Sequence, residues 1–249
     1  MAWIARDSER VNVGTGFGEL GNRVAASVET TNSFLGHVYR TMAIGLCVTG
    51  IVALLVSSSQ AAVEFFIMNR GVMFMLIIAQ LVMVFAFTGL LSRVSAGTAA
   101  AMFFGYAALT GITFSTIFLV YTRASIASTF FVTGGAFAGL SAYGYLTKRR
   151  LDGMGSFLFM GLIGLVLASI VNMFLRSPAI YWLTTFMGVI VFSGLTAYDT
   201  AKLKQLAATG NVQGEYGRKM ALQGALMLYL DFINLFLILL RLFGGRRRD

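Results

Sequence analysis

The chain has 249 residues, of which 57% are hydrophobic and 12% charged, and its mean hydropathy is +0.80; a soluble domain carries roughly 45–50% apolar and about 25% charged residues. A water-soluble globule is excluded. The excess of 19 Lys and Arg over 10 Asp and Glu does not point to nucleic acid, because the cations stand at the ends of apolar runs, where the positive-inside rule places them. One cysteine, Cys47, and one histidine, His37, leave no intrachain disulfide and too few ligands for a zinc site.

Residues Met1 to Ser33 are polar and mixed in charge, with no apolar segment behind the early arginines, so they do not read as a cleavable secretory signal. They are expected to form a mobile cytosolic tail, with an interfacial helix beginning at most near Val24 to Val28. Gly16, Gly18 and Gly21 spell GxGxxG, but no apolar strand precedes them, so the motif is read as glycine-bearing tail and not as a dinucleotide loop.

From here the chain is a series of charge-free stretches: 41–63, 71–92, 94–122, 124–147, 153–175 and 177–198. Each can cross about 30 Å of hydrocarbon as a helix rising 1.5 Å per residue. The separators are single arginines or the short KRRLD of residues 148–152, so neighbouring helices must run antiparallel. A seventh segment, Met220 to Leu240, is broken by one charge, Asp231. Its Leu, Ile and Phe residues contribute roughly −0.3 to −0.6 kcal/mol each against about +2.5 to +3.5 for one central aspartate, so insertion is still favoured. Continuous apolar runs exclude barrel strands, which alternate. The expected fold is therefore an all-α integral membrane bundle of seven transmembrane helices. It divides into a tail (1–33), the transmembrane domain (34–245) and a basic carboxyl-terminal tail (246–249). Small residues, such as Gly135 to Gly139 and Gly161 to Gly164, are expected to let helices approach closely.

With seven crossings, the amino-terminal side holds twelve cations, among them Arg93, Lys148 to Arg150, Lys202 and Lys204, while the other holds Arg70, Arg123 and Arg176. That makes the amino-terminal side cytosolic. Arg241 and Arg246 to Arg248 then fall outside, a conflict that a seventh helix turning back would remove; the length of the last run favours a full crossing.

Two carboxylates stand at membrane depth, Asp199 at the end of the sixth span and Asp231 within the seventh. An ionisable group there is a functional hypothesis by default. For Asp199 the competing reading is an interfacial salt bridge with Lys202 or Lys204. Counted along ideal helices, the two are level only if the sixth or seventh helix projects beyond the hydrocarbon. Two adjacent carboxylates in low dielectric share a proton and titrate in two steps, and once ionised they offer oxygens to a hard divalent cation, calcium more readily than magnesium. Asn234, one turn beyond Asp231, is a possible accessory oxygen ligand or a helix-to-helix hydrogen-bonding group, and Arg93 a possible countercharge or a plain cytosolic anchor. An intramembrane aspartyl protease would need YD and GxGD motifs; Tyr198 and Asp199 imitate the first, but Tyr229 and Leu230 precede Asp231 without a glycine pair. The chain is therefore not expected to be an enzyme.

The segments ALMLYLDFINLFLILLRLFG and AYDTAKLK resemble the Bax inhibitor-1 family, also called the transmembrane Bax inhibitor motif family, in its bacterial form, over about residues 34–245. The resemblance implies a bundle with the last helix central and wrapped by the other six. It also implies a pair of aspartates, matched here by Asp199 and Asp231, forming a pH-sensitive site in a calcium leak pathway of the cytoplasmic membrane. Lipid, protons and transiently bound calcium are then the partners, with no resident cofactor and no nucleic acid. The alternative is a non-transporting membrane interaction protein that regulates membrane proteolysis or stress and cell-death machinery through membrane-protein partners.

Overall fold

The structure, a computed structural model, describes residues 13–147 and 152–247, with side chains described from residue 28 onward and, after the break, from residue 153. Seven long helices follow one another: α1 (Val13–Ser58), α2 (Arg70–Leu90), α3 (Ala96–Phe114, continued by a short turn at Ile117–Val120), α4 (Arg123–Leu146), α5 (Asp152–Leu175), α6 (Pro178–Ala208) and α7 (Gly214–Phe243). All seven are long and apolar enough to cross a membrane. Their starts follow from local chemistry. Asn69 accepts from the amides of Gly71 and Val72 to cap α2, Ser95 accepts from Thr98 to cap α3, Thr122 accepts from Ser125 to cap α4, and Pro178 opens α6 where its missing amide costs nothing.

Three boundaries differ from the sequence reading. The division at 33/34 falls inside α1, which is helical from Val13, so Gly16, Gly18 and Gly21 lie in a helix and not in a loop. Residues 1–12, the KRR of 148–150, and residues 248–249 lie outside the described residues. The connection between the sixth run, expected to end at residue 198, and the seventh, expected to begin at Met220, is only residues 209–213, because α6 continues through Asp199 to Ala208 and α7 begins at Gly214. The continuation is amphipathic: Thr200, Ala201, Leu203 and Ala207 are buried while Lys202 and Gln205 are exposed, so two lysines extend the helix without ending it. Gly210 (φ 76°) and Gly214 (φ 62°) take left-handed backbone and allow the tight connection. At 31 and 30 residues, α6 and α7 are about 45 Å long and project beyond the hydrocarbon.

The last helix is the most buried of the seven: 61% of its most apolar window is inside the molecule, against 6% for α2 and α5. It packs on α1, α4, α6 and α3, whereas α2 packs on α3 and α5 on α6. Direct packing on α7 thus comes chiefly from four helices and not from all six. One apolar cluster joins α1, α3, α4, α6 and α7 through Val38, Phe103, Phe137, Leu203 and Leu228; a second joins α5, α6 and α7 through Leu158, Val191 and Leu235. Close approaches occur at Gly144, where an added Cβ would overlap the Ala197 carbonyl, at Gly188, where it would lie 2.6 Å from Ile238, and at Gly224, where it would lie 2.6 Å from Leu203. Gly135, Gly139 and Gly164, expected to serve this purpose, have open space in the Cβ direction, and only Gly161 of the four named meets a neighbour, Val191 at 3.0 Å.

The seventh helix does not turn back. Past its end, Gly245 accepts from the Thr122 amide (3.1 Å), Arg247 donates its amide to the Val120 carbonyl (3.0 Å), and Arg241 lies 5.1 Å from the Tyr181 ring centroid. The tail thus meets the end of α3 and the start of α6. At the other end, the Ala96 amide donates to Glu215 (3.3 Å) and Tyr145 donates to Asn32 (2.8 Å). The carboxyl tail and residue 96 therefore lie at opposite ends of the bundle.

Candidate functional site

Asp199 and Asp231 are brought together. They occupy facing sides of α6 and α7, buried to 8% and 5% exposure, with their carboxyl groups close enough to act on each other. The antiparallel register explains the meeting. Leu203 sits opposite Gly224 and Gly188 opposite Ile238, which sets Leu228 opposite Asp199 and Asp231 about one turn deeper, a gap of roughly 5 Å that two side chains span. The displacement required by the depth count is supplied by the extension of α6 beyond residue 198 and of α7 ahead of residue 220.

The environment of the pair is one-sided. Phe232, Leu228 and Leu235 bury α7 around Asp231, and its Oδ2 has no hydrogen-bond partner. Asp199 lies nearer the helix end, where the charge of Lys202 acts on it. Lys202 is exposed, its ammonium 5.9 Å from the Tyr198 ring centroid. Lys204 donates to the Tyr145 carbonyl near the carboxyl end of α4 (2.6 Å). Among the described residues, no cation lies within ion-pair distance of either carboxylate; the ion pair that is formed, Lys219 with Glu215 at 3.9 Å, belongs to the first turns of α7. The interfacial salt bridge considered for Asp199 is not made.

The accessory residues are placed differently from the pair. Asn234 donates its Nδ2 to the Leu230 carbonyl of its own helix (2.8 Å), which leaves its oxygen as an acceptor. Arg93 is exposed in the turn between α2 and α3. A hydroxyl chain that the sequence reading did not single out lies beside Asp199: Tyr39 of α1 and Thr200 of α6 share a hydrogen bond (3.1 Å), and Thr200 reaches Ser141 of α4 (3.4 Å). The signal available in the sequence was Thr196 and Thr200 flanking Asp199 at helical spacing; the partners come from distant segments. His37 accepts from Arg40 (2.9 Å) and Cys47 is exposed on α1. Among the described residues no group of three His, Cys, Asp or Glu side chains converges. Two carboxylates, one with an unsatisfied oxygen, are far short of the six to eight oxygens that calcium usually takes, so the side chains alone do not build a storage site for that ion.

A sequence model of the family described as inhibitor of apoptosis-promoting Bax1 matches residues 31–248. The chain is 51% identical over 216 residues to the inner membrane protein YbhL of Escherichia coli K12, covering 86% of this chain and 92% of that protein. It is 44% identical over 219 residues to an uncharacterized protein of Borreliella burgdorferi, covering 88% and 94%, and 41% identical over 220 residues to the uncharacterized protein RP147 of Rickettsia prowazekii, covering 88% and 92%.

Proposed function

Because the chain belongs to the Bax inhibitor-1 family, we propose that it is a pH-sensitive passive calcium leak channel of the bacterial inner membrane, gated by the proton shared between Asp199 and Asp231. The observation that carries this reading is the contact of two buried carboxyl groups, one with an unsatisfied oxygen, on facing helices of a membrane bundle. A structural role alone does not account for it, since a buried carboxylate without a partner is a net cost to folding.

Two touching carboxyl groups cannot both ionise without strong mutual repulsion, so the pair keeps one proton that bridges α6 and α7. As the pH rises the proton leaves. Repulsion then favours separation of α6 from α7 at their cytosolic ends, and the ionised pair attracts calcium. The ligand shell is too poor to hold the ion for long, which suits passage and not storage. Asn234 and the hydroxyl chain through Thr200 supply neutral oxygens nearby, and Arg93 serves as a cytosolic anchor. The amino-terminal end faces the cytosol, because seven crossings give it twelve of the 19 cations. The inner-membrane location is supported by the name of the Escherichia coli relative.

Purified protein in liposomes loaded with a calcium dye tests the reading. Calcium entry that rises between about pH 5 and pH 8 supports it. A rate equal to that of empty liposomes at every pH rejects transport and leaves the interaction-protein reading.

A further inference from the structure

The face of α7 turned away from Asp231 carries a second buried polar group. Tyr229 precedes Asp231 by two residues, about 200° around the helix, and is fully buried against Phe103 and Tyr106 of α3, whose ring centroids lie 5.8 and 5.9 Å from its own. Its hydroxyl is 2.6 Å from Thr49 Oγ1 of α1. Thr49 Oγ1 in turn donates to a carbonyl, that of Ala107 at 2.9 Å or of Gly45 at 3.1 Å. A hydroxyl has one hydrogen, so Thr49 gives its own to a carbonyl and receives that of Tyr229. The Tyr229 oxygen keeps free acceptor capacity, and Thr110, one turn beyond Tyr106 on the same buried face of α3, is close enough to act on both tyrosine hydroxyls.

Among the described residues, Thr110 is the threonine whose buried hydroxyl has no hydrogen-bond partner. Thr49, Thr133, Thr184, Thr185 and Thr196 each donate to the carbonyl four residues earlier, the usual way a helical threonine satisfies itself. Thr110 is 2% exposed and its Oγ1 has no hydrogen-bond partner. One turn along α3 from Tyr106, it stands beside the two tyrosines without a bond to either.

We propose that Tyr106, Thr110 and Tyr229 bind one internal water molecule where α1, α3 and α7 meet. A buried water typically makes two to four hydrogen bonds to groups otherwise left unsatisfied. Here the water accepts from Thr110 and from Tyr106 and donates to the Tyr229 oxygen. The hydroxyls around it are neutral, and the Asp231 carboxylate is on the opposite face of α7, so a dehydrated cation would bring uncompensated charge into the core. The water ties α7 to α3, and through Tyr229 and Thr49 to α1, which fixes the rotation of α7 that points Asp231 at α6.

The test combines an experimental structure of the full chain in lipid, at a resolution that shows ordered water, with thermal unfolding in detergent. A density peak within hydrogen-bonding distance of Thr110 Oγ1 and Tyr229 Oη is expected. Thr110→Val, nearly isosteric, should lower the melting temperature by several degrees, Thr110→Ser should keep the parental value, and Thr110→Val should add little in a Tyr229→Phe background. Absence of the peak overturns the proposal, as does a Thr110→Val protein as stable as the parent, which marks a dry site. A peak with metal-like coordination, or stability that depends on sodium in the parent but not in Thr110→Val, overturns it in favour of an ion. None of these outcomes depends on calcium flux.

Discussion

Asp231 is placed where a side chain without charge would serve the fold better. Its Oδ2 is buried without a partner, and an unsatisfied buried acceptor costs about 1–3 kcal/mol. Asp231→Leu removes that cost and adds apolar contact to Leu228, Phe232 and Leu235, so it is expected to melt at or above the parental temperature while losing pH-dependent flux. Melting well below the parent would show that the carboxyl group is a structural element. Both aspartates were legible as sequence, because a charge inside an apolar helix stands out against its neighbours. Tyr39, Ser141 and Thr200 were not legible, since each is an ordinary residue on its own helix and only the packing of α1, α4 and α6 joins them.

At the scale of the helix, the positions of the spans were legible and their ends were not. Arginines and the capping residues Asn69, Ser95 and Thr122 mark the early boundaries directly. At the end of α6 the lysines misled, because Lys202 points outward and Lys204 reaches the Tyr145 carbonyl while Ala201, Leu203 and Ala207 stay buried, so charge coexists with a continuing helix. Glycine content misled in the same way. GAFAG at 135–139 has open space in the Cβ direction at both glycines, whereas the single Gly144 lies against the backbone of Ala197. Gly144→Leu is expected to force α4 and α6 apart and lower the melting temperature by several degrees or prevent folding. Gly139→Leu should cost less than about 1 kcal/mol. Equal thermal stability of the two variants would contradict the assigned α4 to α6 contact.

For the whole molecule, the unbroken α7 and the pairing of residues 245 and 247 with 120 and 122 put the carboxyl tail and the turn at 209–213 at opposite ends. With Cys47 replaced by Ser, a cysteine at Arg246 is expected to react with impermeant reagent only from outside the cell, and one at Thr209 only from the cytosol. Labelling of both from one side would refute the seven-crossing topology. The same geometry brings the two α7 faces to one depth, aspartate on one and tyrosine on the other, so the setting of this helix controls the proposed gate. Whether Asp199 and Asp231 act as one proton-sharing unit is decided by the pH profile of calcium flux in liposomes for the parent, Asp199→Asn, Asp231→Asn and the double variant. Either single substitution is expected to remove most of the rise in flux between about pH 5 and pH 8, and the double variant to add little to either. Parental pH profiles in both single variants would contradict the shared proton.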